Sequence, residues 1–333
     1  MKAMVLRRAG DISASPLQRQ EVPTPQPGPG DVLVRVTVCG ICRTDLHVVE
    51  GELEDPLLPL IPGHQAVGVI SQVGASVTER KVGERVGIAW LQGTCGRCEF
   101  CVSGRENLCQ EARFTGYQVH GGYAEYAVVP ERFAYPIPAV FSDQEAAPLL
   151  CAGIIGYRAL RLSGIRPGQR LGLYGFGASA HIAIQIARHW GCEIYVSSLT
   201  SQHQALAREL GAKWVGGASE SPPARLHGAI MFAPAGELVP PALRALERGA
   251  TLALAGIHMS TIPSLDYDHD LFGERVIRSV TANTRQDGLD LLREAAAIPI
   301  KPKTQRFRLE EANQALQALK AGAIKGAGVL TLA

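Results

Sequence analysis

The sequence predicts an α/β chain, with a β-rich first half followed from about residue 166 by a doubly wound parallel sheet. Three observations carry this. Val32, Val34, Val36 and Val38 alternate with Leu33, Arg35 and Thr37, the period of a strand. After residue 166, short apolar runs alternate regularly with amphipathic helical segments. The first of those runs leads straight into Gly175-Phe176-Gly177-Ala178-Ser179-Ala180, a G-x-G-x-x-A turn between strand and helix.

Taken in order, residues 1 to about 30 read as a β-hairpin and a Pro-rich connection. The strand of alternating valines then delivers Cys39-Gly40-Ile41-Cys42 to a short loop, Cys42-Arg43-Thr44-Asp45-Leu46-His47. Cys39 reads as a small buried residue at the strand's end. Pro62-Gly63-His64 and the β-branched run to Ile70 predict a strand or bulge with close backbone approach. Another strand is expected over 121–130. Ser142, with Asp143 and Glu145 behind it, signals the start of a helix running through Cys151 to Leu162. Strands at 170–174 and 193–198 flank a helix whose Ile182, Ile186 and Trp190 share one face. Further β–α units begin at 228, 250 and 276. Beyond about 286 follow a helix, a strand near Phe307, a helix over 309–319 and a terminal strand over 328–332.

The chain has 333 residues, enough for two domains with substantial cores. Lys and Arg total 33 against 31 Asp and Glu, a net charge of +2, so nothing favours nucleic acid or a membrane surface. No apolar run approaches the roughly 18 residues of a membrane span. The N-terminus meets Arg7-Arg8 too soon for a secretory apolar segment, so the expected location is the cytoplasm. The eight cysteines are clustered, which on such a chain points to metal rather than disulfides.

Cys95, Cys98, Cys101 and Cys109 form C-x₂-C-x₂-C-x₇-C, the strongest single signal. Four thiolates at this spacing make a closed tetrahedral Zn²⁺ site able to order a loop poor in apolar residues. An iron–sulfur cluster is the rival occupant. A closed site leaves no room for substrate, so chemistry needs a second centre. The hexapeptide 42–47 offers thiolate, cation, hydroxyl, carboxylate and imidazole together, with His64 and Cys151 as further donors. Taken alone, the hexapeptide also reads as a surface turn with a free cysteine, and His64 as a structural side chain.

Gly175 permits the turn, Gly177 lets a pyrophosphate approach the backbone, and Ala180 is small enough for the third fingerprint position. An NAD site would place Asp or Glu about 20 residues after the first glycine. Here stand Ser197-Ser198-Leu199-Thr200-Ser201, with His203 nearby and no acid. Ser197, Ser198 and Thr200 offer hydroxyls to a 2′-phosphate, so the expected coenzyme leans to NADP. The stretch carries no Arg or Lys, and NAD stays possible.

These parts, in this order, resemble the zinc-dependent medium-chain alcohol dehydrogenases over essentially the whole chain. The residues that carry the resemblance are Cys39–His47, Pro62–His64, the four-cysteine lobe, Cys151–Ile154 and Gly175–Gly177. The resemblance implies a GroES-like catalytic domain over 1–152 and 286–333, with its zinc lobe at 93–110. It also implies a Rossmann domain over 153–285 and an active site in the cleft between the two. Cys42, His64 and Cys151 match the catalytic zinc ligands, following the known Cys₂His set of alcohol dehydrogenases. Asp45 matches the carboxylate orienting His64, Thr44 the hydroxyl on the substrate oxygen, and His47 the outer end of a proton relay through the coenzyme ribose. Arg43 matches a pyrophosphate contact and Trp90 a bulky wall of the substrate pocket.

One catalytic and one structural zinc per subunit, an alcohol or aldehyde substrate, and a homodimer or homotetramer follow as expectations. Leu53 and Trp90 favour simple alcohols. The alternatives are a polyol or amino-alcohol dehydrogenase of the same superfamily, and a non-catalytic zinc and nucleotide-binding sensor. Four positions depart from the family pattern. Gln65 replaces a usual Glu, Ile155 a frequent Thr and Ala180 the last fingerprint glycine. Gly326-Ala327-Gly328 stands where many members carry Arg against the pyrophosphate.

Overall fold

A computed structural model describes every residue except 219, 299 and 333. The chain forms two compact units, Met1–Cys151 with Ala282–Ala333, and Ala152–Thr281. The chain thus re-enters the first unit four residues earlier than the 285/286 expected from sequence. Thr284 caps the helix Arg285–Ala297. Just before it, Asn283 Nδ2 donates to Tyr135 Oη at 3.4 Å, which fixes the re-entry point in the first unit.

In the first unit the long strand Asp31–Ile41 is the centre of a seven-stranded sheet. It pairs antiparallel with Ala66–Val73, Tyr126–Pro130 and Ala327–Thr331. Register shifts at Leu33/Val34 and Val36/Val38 bend it, as β-bulges do. Val32, Val34, Val36 and Cys39 are buried in a core shared with Leu6, Ile70, Ile88 and Leu330. The N-terminal hairpin of Lys2–Leu6 and Leu17–Glu21 is present. Gly68 allows close strand approach, since a Cβ there would lie 2.2 Å from the Arg35 carbonyl oxygen.

Two expectations change here. Residues 42–47 are not a loop, because Arg43–Glu50 is an α-helix with Cys42 as its N-cap. The segment after Ser142 is helical but does not continue as a regular α-helix. Asp143–Pro148 is α, Leu149–Gly153 is a π-turn, and Ile154–Leu162 is α again. Pro148 has no N–H and leaves the carbonyl one turn back without its helical partner, and the π-turn that holds Cys151 begins at the next residue.

The second unit is a six-stranded, wholly parallel sheet. Its spatial order is Trp214–Gly216, Glu193–Ser197, Arg170–Tyr174, Leu226–Met231, Leu246–Leu254, Val276–Ser279. Numbered along the chain that is 3-2-1-4-5-6, the doubly wound dinucleotide-binding order. Ile182, Ala183, Ile186 and Ala187 of helix Ala178–His189 are buried, as the helical period requires. Among the described residues, no helix is long and apolar enough to cross a membrane.

Candidate active site

All three expected open-site donors lie in the first unit, each on a different element. Cys42 ends the long strand and caps the helix that follows. His64 precedes the strand Ala66–Val73, after Gly63 in the left-handed region at φ +97°. Cys151 sits in the π-turn. Their donor atoms all lie within 4.8 Å of one another. Cys42 Sγ is 3.3 Å from His64 Nε2 and 3.9 Å from Cys151 Sγ. A tetrahedral Zn²⁺ with the usual bond lengths needs sulfurs about 3.8 Å apart, and sulfur and nitrogen about 3.6 Å apart. The donor set fits the ion.

Asp45 lies behind this cluster. Its Oδ1 accepts from His64 Nδ1 at 2.8 Å, and its Oδ2 from the Cys42 backbone N–H at 2.9 Å. The Thr44 N–H donates to Cys42 Sγ at 3.3 Å. Cys42 and Asp45 thus form a reciprocal capping box, the same two residues starting the helix and preparing the donor site. Donation from the Cys151 thiol holds Cys42 well below the usual thiol range against the opposing effect of burial, and the His64 ring adds to it. Burial alone would strip His64 of its proton, but Asp45 and Cys42 push its pKa up instead. Burial raises the Asp45 carboxyl while His64 pulls it back.

Thr44 is buried and Arg43 exposed, both in the first helical turn. His47 lies three residues after Thr44, on the same helix face, and its Nδ1 is bonded to Glu52 Oε2. The Trp90 ring meets His64 edge-on at 5.0 Å. It also stacks on Phe114 at 5.1 Å and Tyr117 at 5.8 Å, making an aromatic wall beside the donors. Leu53 is packed against the same unit's core. Gln65 is buried, and its amide nitrogen has no hydrogen-bond partner among the described residues. The carboxamide lies flat against Gly40, where a Cβ would come within 2.9 Å of it.

The second cluster is Cys95, Cys98, Cys101 and Cys109, again with donors within 4.8 Å of one another. Sulfur separations of 3.5, 3.6 and 3.9 Å suit one tetrahedral ion. The Arg97 and Cys98 backbone N–H groups bring the Cys95 thiol down to about 6. A cavity of about 570 Å³ behind the N-terminal hairpin shares no residue with either cluster.

In the second unit Gly175 takes φ +87°, and a Cβ there would lie 2.8 Å from the Ala233 backbone nitrogen. Gly177 caps the helix and has open space where a Cβ would sit, room for a phosphate to reach the exposed N–H groups. Ala180 is fully buried. Ser197 and Ser198 are buried at the end of the second strand, and Thr200 caps the next helix, its hydroxyl accepting from the His203 N–H at 3.2 Å. Ile155 is half-buried on its helix. In the first unit, Gly326 and Gly328 are small for a local reason. A Cβ would meet the Lys303 carbonyl oxygen at 2.1 Å and the Ile41 side chain at 2.5 Å.

Sequence reasoning missed three contributors. Glu52 meets His47 only because Gly51 turns left-handed between them. Tyr123 is wholly buried, its ring filling the space that Gly63 leaves open. Glu106 of the cysteine lobe, almost wholly buried, takes the Arg285 N–H and guanidinium at 2.7–3.0 Å. The one available signal was Gly63 beside His64, the glycine whose missing side chain leaves room for the ring.

The cluster geometry and the 3-2-1-4-5-6 sheet together define a zinc-binding, nucleotide-dependent oxidoreductase architecture. Comparison with known proteins agrees. Residues 28–139 match the alcohol dehydrogenase GroES-like domain family, and residues 180–297 the zinc-binding dehydrogenase family. The chain is 49% identical to "Probable alcohol dehydrogenase AdhA" of Mycobacterium tuberculosis, over 100% of this chain and 97% of that one. An alcohol dehydrogenase of Geobacillus stearothermophilus is 38% identical, with 99% of each chain covered. A cobalt- and zinc-bound thermostable alcohol dehydrogenase from Pyrobaculum aerophilum superposes with a TM-score of 0.89 at 27% identity, over 100% of this chain and 99% of that one. The chain belongs to the zinc-dependent medium-chain alcohol dehydrogenase family.

Proposed function

We propose that this chain interconverts primary or secondary alcohols with aldehydes or ketones. In this reading Cys42, His64 and Cys151 hold the catalytic Zn²⁺, and Cys95, Cys98, Cys101 and Cys109 a structural one. The observation that carries the reading is a Cys₂His cluster within 4.8 Å, its imidazole anchored by a buried carboxylate. When bound, Zn²⁺ supplies the Lewis acidity that polarises the substrate oxygen, and NAD(P) takes or gives the hydride.

The chain's own residues do the rest. Asp45 fixes the His64 ring so that Nε2 faces the metal position, and the two thiolates balance the ion's charge. Thr44 would hold the substrate hydroxyl and take its proton outward, and His47, further towards solvent on the same helix, would receive it. Trp90, backed by Phe114 and Tyr117, walls the substrate position with flat apolar surface. In the second unit, Gly175, Gly177 and Ala180 would admit the pyrophosphate, and Arg43 of the first unit is the cation that the family resemblance assigns to it. The buried Ser197 and Ser198, with no Asp or Glu in the stretch 197–203 and Thr200 next along the chain, support NADP over NAD.

Reduced, clustered cysteines suit a cytoplasmic address. The open edge strand Val276–Ser279, with exposed Val276 and neighbouring exposed Phe272, is the surface assigned to dimer or tetramer formation. The deciding experiment combines metal analysis with turnover. Wild-type protein should carry about two zinc ions per subunit and reduce aldehydes with NADPH. Cys42→Ala should carry one zinc and no activity, and Thr44→Ala should keep both ions but lose turnover. A Cys42→Ala protein with wild-type zinc content and activity overturns the assignment. A clear preference for NADH in steady-state kinetics overturns the coenzyme choice alone.

A further inference from the structure

The path just described delivers a proton to His47 and leaves open how the ring is held ready and where the charge goes. Thr44 is buried, His47 is 17% exposed at its side chain and Glu52 is 54% exposed, so the three form an outward gradient towards water. Glu52 is placed by the backbone. Gly51 turns the chain in the left-handed region at φ 78°, and the Glu52 N–H returns to the His47 carbonyl oxygen at 2.9 Å. The carboxylate then closes on Nδ1 of the same histidine. Residues 47 and 52 are therefore locked together by two hydrogen bonds, one of main chain and one of side chain.

The other carboxylates nearby are committed elsewhere. Glu50 accepts from Lys320 Nζ at 2.7 Å and from the Ile12 N–H at 3.1 Å. Lys320 also reaches Asp11 at 3.3 Å. Glu54 and Asp55 face Tyr117, whose hydroxyl donates to the Glu54 carbonyl. Glu52 is the carboxylate left for His47.

We propose that Glu52 is a positioning residue of the proton relay. It holds the neutral His47 ring in its Nδ1–H tautomer, leaving Nε2 as the lone-pair nitrogen that takes the proton coming from Thr44. It then balances the imidazolium that forms. In alcohol oxidation one proton joins Nε2, the ring becomes a cation paired with the Glu52 carboxylate, and water at this half-exposed pair removes one proton. Aldehyde reduction runs the same exchange backwards. A carboxylate fixing an imidazole tautomer from behind is a general device for base catalysis. The proposal rests on the relay role given to His47 above.

The test compares Glu52→Gln, Glu52→Asp and His47→Gln in the zinc-loaded, NADP-dependent enzyme. Glu52→Gln is expected to lower kcat for alcohol oxidation about 10-fold with KM unchanged, the size typical of a lost partner behind a functional imidazole. Glu52→Asp should retain most of the activity, since it keeps a carboxylate behind the ring. Independently of turnover, ¹⁵N NMR of the coenzyme-free protein should find the neutral His47 ring protonated at Nδ1, shifting towards Nε2 in Glu52→Ala. Wild-type kinetics in Glu52→Gln alongside an impaired His47→Gln overturn the inference and leave the relay standing. Wild-type kinetics in both overturn the relay itself. A loss as large in Glu52→Asp as in Glu52→Gln, or a native ring protonated at Nε2, reduces Glu52 to a structural contact and also overturns the inference.

Discussion

Asp45→Asn tests the support behind the open site most sharply. The carboxylate is 1% exposed and makes two hydrogen bonds, to His64 Nδ1 at 2.8 Å and from the Cys42 N–H at 2.9 Å. Both partners donate to it when His64 Nε2 is turned to a metal. Asparagine has one acceptor atom where aspartate has two, so either orientation points an NH₂ group at a donor. One charge-assisted bond is lost, worth about 1.5–3 kcal/mol. The negative charge that strengthens the His64 ring as a donor goes with it. Together these predict a loss of about 10–100-fold in zinc affinity, or about 1.4–2.7 kcal/mol. The assay is competition against a chromogenic chelator, with the four-cysteine site in the same chain as control. One zinc per subunit should be released at lower chelator concentration while the other is unmoved. Unchanged release of both ions would refute the reasoning, and so would equal weakening of both, since the second points to general loss of fold.

Three other outcomes follow from the same geometry. Gly175→Ala forces φ +87° on a side chain and sets a Cβ 2.8 Å from the Ala233 nitrogen. The left-handed conformation alone costs about 1–2 kcal/mol, so Tm should fall and fluorescence titration should show weaker coenzyme binding. Cys98→Ser should remove one zinc per subunit by metal analysis and lower Tm, because three thiolates no longer close a tetrahedron. His120 accepts the Ile61 N–H at Nδ1, and burial holds its pKa below the usual 6.5. His120 is partly covered although largely exposed, and unfolding removes that cover, so just below pH 6.5 the unfolded chain binds slightly more protons than the folded one. The contribution is fully present above 6.5 and is lost as pH falls from there through the folded-state pKa. His120→Asn should flatten the dependence of Tm on pH in that window.

What could be read in the sequence, and what could not, divides along physical lines. The four-cysteine spacing is local, so its cluster was legible before any fold was known. The G-x-G-x-x-A turn was legible because strand, turn and helix are contiguous. The helix Arg43–Glu50 was not, because its cap is a cysteine, and Cys-x-x-Asp does the work usually signalled by Ser-x-x-Glu. The π-turn holding Cys151 directly follows Pro148, yet a proline near a helix start is equally compatible with an unbroken helix. The pair of Glu106 and Arg285 joins residues 179 positions apart and leaves no trace in local pattern. Gln65 looked like a change of charge beside the metal ligands. In the fold it is also a packing residue, pressed on Gly40 with its amide nitrogen unpaired.

The chemistry of this site turns on how deeply two similar pairs are buried. His64 and His47 are each held at Nδ1 by a carboxylate supplied within the segment 45–52. Asp45 and His64 are both 1% exposed, so water cannot compete for either group and the ring keeps one orientation. That rigidity suits a metal donor, whose lone pair must stay aimed at one point. Glu52 is 54% exposed, so the second pair stays in contact with solvent, as the proposed relay requires of the group that hands its proton to water. Exchanging the burial of the two pairs would spoil both proposed roles, because an exposed metal ligand loses its aim and a buried relay traps its charge.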